Sequence, residues 1–164
     1  MSPNLKAFLD MIAFSEGTAN VTGSDDGYNV LVTGIVPAGS DVTDLGGNRH
    51  IFNSYADHPN VLVQVTPHLL STAAGRYQQM HHDWPIYKQR LALPDFGPAS
   101  QDILAGQHII EARALGDVEA GNIVAAIHKC ANIWASFPGN AYGQRQRNID
   151  DLLEYFAIAG GTIS

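Results

Sequence analysis

The sequence contains little of several residue types on which whole classes of protein depend. Cys130 is the only cysteine among 164 residues, which excludes an internal disulfide and a cysteine-based metal cluster. Synthesis in a reducing compartment is therefore expected. No apolar run approaches the roughly 18 residues that a membrane span requires, so we expect no stable membrane association. Lys and Arg number only nine against sixteen Asp and Glu and form no basic stripe, so nucleic acid is not an expected partner.

Motifs that carry several common catalytic chemistries are also absent. The seven histidines form no His-Glu-x-x-His motif, and the adjacent His81 and His82 would point in different directions on a helix. His108 and Glu111 lie one helical turn apart, but no third ligand has a standard spacing. No Gly-x-Ser-x-Gly elbow or phosphate-binding glycine loop occurs, and Cys130 falls on an apolar helical stripe, as a packed thiol does. We therefore expect no metal and no other cofactor, which leaves carboxylate chemistry.

Glutamate is scarce, with four residues against twelve aspartates, and only Glu16 is unusually placed. It follows an apolar stripe of helical spacing that begins after Ser2-Pro3 and ends before Gly17, which are favourable start and stop residues for a helix. Because Glu16 continues the stripe, its carboxyl lies either in water past the helix end or half-buried with a raised pKa. A carboxyl of the second kind can act as a general acid. The other glutamates are typical of solvated surface: Glu111, Glu119 and Glu154.

The remaining pattern predicts an α+β fold in a single domain of residues 1–164, long enough to bury one core. Short strands are expected at residues 28–32 and 61–65, within one small sheet region. Residues 34–50 are rich in glycine and are expected to form a long exposed loop. Helical spacing and capping residues predict further helices over 73–82, 84–91, 100–115, 123–134 and 149–157.

Two stretches each combine a glycine, a tyrosine and a glutamine. They are Gly75-Arg76-Tyr77-Gln78 and Asn140-Ala141-Tyr142-Gly143-Gln144. An aromatic ring can stack on a sugar, and a glutamine amide offers both a donor and an acceptor, so these groups suit a neutral polyhydroxyl ligand. An ordinary turn or helix start accounts for the same residues, and composition leaves both interpretations open.

Four blocks of the sequence form a recognisable set when they are taken in order. They are Ala7–Thr18 (AFLDMIAFSEGT), Tyr55–Pro59, Ser71–Gln78 and Cys130–Gly139. Together they resemble the bacteriophage lambda endolysin family of lytic transglycosylases, over about residues 5 to 162. The resemblance implies a lysozyme-like fold, mostly helical, with one small antiparallel sheet flanking a substrate cleft. The chain departs from the family pattern at Asn29, where Asp is expected after Gly-Tyr, and residues 34–50 resemble an insertion.

The resemblance also implies an activity and the residues that perform it. A lytic transglycosylase cleaves the β-1,4 bond between N-acetylmuramic acid and N-acetylglucosamine in peptidoglycan and forms 1,6-anhydromuramic acid. The family's single catalytic glutamate falls on Glu16, which would act first as a general acid and then as a base. The residues expected to contact the glycan strand are Gln78, Tyr142, Tyr77, Arg76 and Tyr28.

Two alternative functions stay open at this point. A hydrolytic muramidase would use a second carboxylate, for which Asp25, Asp26 and Asp57 are available. A non-catalytic peptidoglycan-binding or phage structural module would keep the scaffold without the chemistry. The intact block around Glu16 argues against this second alternative.

Place and partners are expected from the N-terminus and from the resemblance. The N-terminus has neither the basic n-region nor the small-residue cleavage site of a signal peptide. The family then implies storage in the host cytoplasm, access to the wall through a separate membrane protein, and bacteriolytic action in the periplasm. The expected partner is the peptidoglycan glycan strand, and we expect a monomer.

Overall fold

The computed structural model describes residues 1–140 and 145–164, which form six helices and four strands. In chain order these are α1 (Pro3–Glu16), β1 (Val42–Gly46), β2 (Arg49–Phe52), β3 (Val63–Thr66), β4 (Leu69–Ser71), α2 (Trp84–Arg90), α3 (Pro98–Glu111), α4 (Leu115–Ala120), α5 (Ile123–Cys130) and α6 (Ile149–Ile158). They divide into two compact units: Met1–Gly17 with Ala105–Ser164, and Thr18–Leu104. None of the described helices is long and apolar enough to cross a bilayer.

The first unit is helical, and its core lies where the apolar faces of the helices meet. α1 packs against α4 and α6, and α5 packs against the same two helices. Phe8 of α1 makes an edge contact with Phe137 at 6.1 Å between ring centroids, and both side chains are fully buried. Both predicted ends of α1 are confirmed. The Ser2 side chain accepts a hydrogen bond from the Leu5 amide, and Gly17 closes the helix in the left-handed conformation.

The later helices confirm the predicted apolar stripes more closely than the predicted ends. α6 begins at its Asn148 cap, whose side chain accepts a hydrogen bond from the Asp150 amide. α5 ends at Cys130 rather than continuing to Trp134. The helix expected over 100–115 is confirmed as far as Glu111, where α3 ends, but its last residues are wrong because a separate helix follows. Arg113 lies between them with a positive φ of 56°, which an α-helix cannot contain.

The second unit contains both strand pairs, so the expectation of one small sheet is wrong. β1 pairs antiparallel with β2, and β3 pairs antiparallel with β4. The strand expected at 28–32 is reduced to isolated bridges from Val30 to Ile51 and from Leu31 to Ala74. The loop expected at 34–50 instead contains β1 and the start of β2. The strand expected at 61–65 is confirmed in β3, two residues later.

Apolar side chains from loops, strands and helices share one core in this unit. Its members are Leu31, Phe52, Val63, Ala74, Trp84, Leu93, Phe96 and Leu104. α2 is confirmed over Trp84–Arg90 with Pro85 in its first turn, although Asp83 makes no capping bond. The helix expected over 73–82 is wrong: Ala74 forms bridges to Leu31 and Gln79, which close this segment into a turn. Packing against distant residues has overridden local helical propensity.

Candidate active site

Glu16 is the last residue of α1, and its position follows from how that helix ends. Gly17 turns the chain at a φ of +76° and donates its amide hydrogen to the carbonyl oxygens of Ala13 and Phe14. The turn leaves Glu16 partly buried, beside Ile12 and Ala13 at the end of the apolar stripe, which are fully buried. The sequence predicts that this carboxyl lies either in water or half-buried, and the structure shows that it is half-buried.

Two serine hydroxyls form a short chain of hydrogen bonds that ends on Glu16. Ser136 Oγ donates to Glu16 Oε1 at 2.6 Å, and Ser15 Oγ donates to Ser136 Oγ at 2.8 Å. Ser15 precedes Glu16 on α1 and is buried, whereas Ser136 lies in the segment after α5. Hydrogen bonds to a carboxylate are among the stronger ones in proteins. The carboxyl is therefore held by a donor from a different part of the chain.

Burial raises the pKa of Glu16 from 4.5 to about 7, because removing water disfavours the ionised form. The hydrogen bond from Ser136 and the positive charge of Arg147 both lower this pKa and so limit the rise. The result is a carboxyl that can both give and take a proton near neutral pH.

Arg147 fixes the end of α1 and the segment that carries Ser136. Its guanidinium donates to the carbonyl oxygens of Phe14 and Ser15, each at 3.3 Å, and lies 4.9 Å from the centre of the Phe14 ring. Its backbone amide donates to the Ser136 carbonyl at 2.9 Å. One residue therefore neutralises helix carbonyls, places a positive charge near Glu16 and holds Ser136 in place.

In the second unit, the stretch Gly75–Gln78 forms a tight turn that is clamped by one buried amide. Gln101 is fully buried; its Oε1 accepts from the Arg76 amide at 2.9 Å, and its Nε2 donates to the carbonyls of Tyr28 and Phe96. Gly75 has a φ of +81°, and a Cβ atom there would lie 2.2 Å from Gln101 Oε1. Only glycine fits at this position.

The turn places Gln78 in the left-handed region, with a φ of +50°. The side-chain amide of Gln78 donates to the Gly75 carbonyl at 3.0 Å, and the residue is partly exposed. Its other amide atom, the carbonyl Oε1, is the acceptor through which Gln78 could meet a ligand. The expected sugar contact at Gln78 stays a prediction.

Tyr28 and Tyr77 share one carboxylate. Their hydroxyls donate to Asp102 Oδ1 at 2.8 and 2.6 Å, and their rings make an edge contact at 6.2 Å. Burial, with the negative charge of Asp102, raises the pKa of Tyr77 and raises that of Tyr28 to about 12. Tyr77 is only 2% exposed, so little of its surface is left for a ligand, whereas Tyr28 is half-buried.

Arg76 is buried beside Tyr28 and pairs with Asp26. Its Nη1 lies 2.8 Å from Asp26 Oδ1 and also donates to the Asp26 carbonyl, while the guanidinium lies 5.2 Å from the centre of the Tyr28 ring. These contacts hold the turn to the Asp25–Tyr28 segment. The sugar contacts expected at Arg76, Tyr77 and Tyr28 stay predictions. Tyr142 lies outside the described residues.

The three aspartates offered as a second catalytic carboxylate are each engaged elsewhere. Asp25 Oδ2 accepts the Tyr55 hydroxyl at 2.8 Å, and Asp26 pairs with Arg76. Asp57 accepts from the Trp84 indole and from Lys88, and these bonds hold the pKa of its carboxyl below the usual value. Asn29, found in place of an expected aspartate, accepts the Asp25 amide at 2.9 Å and so closes a turn.

Within the described ranges, no group of three or more His, Cys, Asp and Glu side chains is arranged to hold a metal ion. Sequence reasoning missed two sets of supporting residues. In the first unit, Ser15, Ser136 and Arg147 surround Glu16. In the second unit, Gln101 and Asp102 hold the Gly75–Gln78 turn and its tyrosine. Each of these residues forms hydrogen bonds with residues far away in the sequence. No periodicity or motif predicts such a contact. Only Ser15 and Ser136 fall within blocks that carry the family resemblance.

Comparison with known proteins identifies the family. The family model described as Endolysin matches residues 6–163. The endolysin of Escherichia phage P2 is 47% identical over 166 residues, which covers 96% of this chain and 93% of that protein. The endolysin of Escherichia phage lambda is 44% identical over 160 residues, with 96% and 92% covered.

Solved structures confirm the predicted lysozyme-like α+β fold. Phage lambda lysozyme in complex with a chitohexasaccharide superimposes with a TM-score of 0.87 at 43% identity, covering 100% of this chain and 98% of that one. A second structure of phage lambda lysozyme gives a TM-score of 0.83 at 42% identity, with the same coverage. The half-buried carboxyl at the end of α1 thus lies in a chain that belongs to the endolysin family.

Proposed function

We propose that the chain is a peptidoglycan-degrading endolysin and, more specifically, a lytic transglycosylase with Glu16 as its one catalytic carboxyl. The observation that carries this proposal is the environment of Glu16, whose pKa of about 7 suits both halves of an acid–base cycle. The relative that was solved with a chitohexasaccharide supports a β-linked amino-sugar strand as substrate.

The first half of the reaction uses the protonated form of Glu16. The carboxyl gives its proton to the oxygen that links N-acetylmuramic acid to N-acetylglucosamine. The bond between that oxygen and C1 of the muramoyl ring breaks, and its electron pair leaves with the N-acetylglucosamine oxygen. Positive charge develops on the muramoyl ring as an oxocarbenium-like state.

The second half uses the carboxylate that remains. Glu16 takes the proton from the C6 hydroxyl of the same muramoyl residue while that oxygen bonds to C1. The product is 1,6-anhydromuramic acid, and Glu16 is protonated again without any water being consumed. A carboxyl whose pKa lay far below 7 would already be ionised before the first half and would be a weak base in the second, whereas one far above 7 would be a weak acid in the first.

The state of the aspartates supports one carboxylate rather than two. A retaining or inverting hydrolase needs a second carboxylate that is free to attack C1 or to activate water. Asp25, Asp26 and Asp57 instead accept hydrogen bonds from Tyr55, Arg76, Trp84 and Lys88 within their own unit.

Mass spectrometry of digested cell walls tests the mechanism. We expect soluble products that are lighter by one water molecule than the products of hydrolysis, as the anhydro sugar requires. Glu16→Gln should release essentially none while keeping its fold, because the amide has no acidic proton to give. Glu154→Gln, an exposed glutamate on α6, is the matched control and should release wild-type amounts.

Products with the mass expected for hydrolysis would show that the chain is a hydrolytic muramidase and not a transglycosylase. A non-catalytic wall-binding module would sediment with walls that stay uncleaved, and it would do so equally with Glu16→Gln. We further propose that the chain acts as a monomer on the glycan strand, made in the host cytoplasm and reaching the wall once the membrane is opened.

A further inference from the structure

We propose that Ser136 is a positioning residue that gives the two oxygens of the Glu16 carboxyl fixed and different roles. Oε1 is the oxygen that permanently accepts a hydrogen bond, and Oε2 is the oxygen that carries the proton exchanged with substrate. The chemical use of that proton rests on the proposed function, whereas the division of the oxygens rests on the geometry alone.

The direction of the hydrogen bonds supports this division. A serine hydroxyl has one hydrogen to donate and can accept from others. Ser136 Oγ accepts the Ser15 hydrogen at 2.8 Å, so its own hydrogen is directed to Glu16 Oε1 at 2.6 Å. Hydrogen bonds in such a chain polarise one another, and Ser15 therefore strengthens the donor that Glu16 receives.

Oε1 is in this way an acceptor in both protonation states of the carboxyl. A neutral carboxyl has one acceptor oxygen that resembles a carbonyl and one hydroxyl oxygen. Because Ser136 satisfies Oε1, the acid proton belongs on Oε2, with which no residue in the described part of the chain forms a hydrogen bond. In the reaction, the proton leaves Oε2 for the glycosidic oxygen and a proton from the C6 hydroxyl returns to Oε2.

One arginine holds both serines of the donor pair. Ser15 is buried on α1, and the Arg147 guanidinium donates to its carbonyl oxygen at 3.3 Å. The backbone amide of Arg147 donates to the Ser136 carbonyl at 2.9 Å. Both serines are thus tied to the same arginine, which fixes the position of one hydroxyl relative to the other.

Ser136 also has an electrostatic effect that can be measured. A donor to a carboxyl stabilises the ionised form more than the neutral form and so lowers its pKa, against the effect of burial. Loss of the Ser136 hydroxyl should therefore raise the pKa of Glu16. Loss of the Ser15 hydroxyl should have the same sign and a smaller size, because Ser136 still donates without its own donor.

Carbon-13 NMR of the glutamate side chains tests this directly, since the chain contains only four glutamates. With glutamate labelled at Cδ, the signal that disappears in Glu16→Gln is that of Glu16. We expect Ser136→Ala to raise its measured pKa by about one, and Ser15→Ala to raise it by less. Ser100→Ala is the control, because it removes a buried hydroxyl that donates to another carboxylate, Asp95, at 3.1 Å. It should leave the Glu16 titration unchanged.

Kinetics supply the second readout. Ser136→Ala should lower kcat roughly tenfold to a hundredfold with KM nearly unchanged, and should move the alkaline limb of the kcat profile to higher pH. Ser136→Thr, which retains a hydroxyl, should recover most of the loss. If Ser136→Ala fails to fold, the Glu16 titration in Ser15→Ala tests the proposal, because that variant leaves Ser136 in place.

An unchanged Glu16 titration in the folded serine variants would overturn the proposal, as would a loss that appears only in KM. Failure of the proposed function is distinguishable from failure of this inference. Products of hydrolytic mass, together with a titration that responds to Ser136, would reject the transglycosylase and keep the positioning role. Anhydro products, together with a Glu16 titration that does not respond to Ser136, would keep the transglycosylase and reject the positioning role.

Discussion

The carboxyl groups of this chain differ in pKa because their surroundings differ. Glu16 is largely removed from water, which raises its pKa to about 7 although the short hydrogen bond from Ser136 lowers it. The side chain of Asp57 is 63% exposed and accepts from an indole and an ammonium, so its pKa falls. The sequence drew attention to Glu16 through its position on an apolar stripe. It could not show the environment of Asp57, because Trp84 and Lys88 are far away in the chain.

The raised pKa of Glu16 predicts that the residue destabilises the folded chain at alkaline pH. The folded pKa of about 7 lies above the unfolded value of 4.5, so the folded state binds more protons between these values. The contribution of Glu16 to stability is therefore greatest below pH 4.5 and is lost as the pH rises through 7. We expect Glu16→Gln to be more stable than wild type at pH 8 by up to about 3 kcal/mol, with no such titration-dependent gain at pH 4.

Urea unfolding at the two pH values measures this difference, and Glu154→Gln is the control. That exposed residue on α6 should give the same small change at both pH values. An equal gain or loss for Glu16→Gln at pH 4 and pH 8 would show that Glu16 is not titrating in the folded state as its burial requires.

Asp57→Asn distinguishes a structural carboxylate from a catalytic one. The asparagine keeps an oxygen that can accept the Trp84 indole hydrogen, but it loses the attraction of Lys88. Because the pair with Lys88 is exposed, we expect a loss of stability of at most about 1 kcal/mol and cell-wall lysis within about twofold of wild type. Turbidity of a wall suspension gives the rate, and a loss of a thousandfold would restore Asp57 as a second catalytic carboxylate.

Among the elements, helices with a clear apolar stripe were predictable and irregular segments were not. The spacing of apolar residues marks α1, α5 and α6, and start and stop residues also mark α1, because contacts three and four residues apart determine such helices. The turn at Gly75–Gln78 has no such local signal: it depends on Gln101, on bridges to Leu31 and on the pairing of Ala74 with Gln79. For the same reason β1 was predicted as loop.

Gly75→Ala should disrupt this turn. The new methyl group would meet Gln101 Oε1 at 2.2 Å, and alanine is strained at a φ of +81°. Overpacking of a closed site and left-handed strain together predict a loss of about 2 to 4 kcal/mol. Thermal unfolding followed by circular dichroism measures the loss.

Gly39→Ala separates the two contributions. Gly39 has the same φ of +81°, but a Cβ atom there would have no neighbour within 4 Å. We expect it to lose only the strain, about 1 kcal/mol. Equal losses at both glycines would mean that the contact with Gln101 contributes nothing to the stability of the turn.

For the molecule as a whole, the two compact units contain buried groups whose pKa values move in opposite directions. Glu16 belongs to the first unit, and its folded pKa is raised. His58 is buried in the second unit, where burial lowers its pKa from 6.5 to about 4. Its Nε2 donates to the Gln79 carbonyl at 2.9 Å, its Nδ1 accepts the Asn60 amide, and it packs on Phe96.

Acid should therefore weaken the second unit before the first. In the unfolded state His58 binds a proton below pH 6.5, whereas in the folded state it binds one only below about pH 4. The contribution of His58 to stability therefore falls as the pH drops from 6.5 to 4. The loss of unfolding free energy from His58 approaches about 3 kcal/mol. His81, whose ring lies 5.3 Å from that of His58, and Asp57 also affect the pKa of His58 and so change the size of this loss. Glu16 contributes with the opposite sign over much of the same range.

Hydrogen exchange at pH 7 and pH 4.5, corrected for intrinsic rates, resolves the two units. Protection should fall in residues 18–104 and hold or rise in 1–17 and 105–164. His58→Gln should abolish the acid response of the second unit, while His82→Gln, at an exposed site, should leave it intact. A uniform change across the chain would contradict the assignment to His58.

The half-buried carboxyl of Glu16 has a consequence for how such a chain evolves. If the folded protein would be more stable at alkaline pH without that charge, selection for stability alone works against the residue. Under the proposed function, selection for activity retains it. In a lineage that kept the fold for adhesion to walls but no longer needed to cut them, position 16 should be among the first to drift. Under the proposed function, relatives that still cut walls should therefore keep a glutamate at this position.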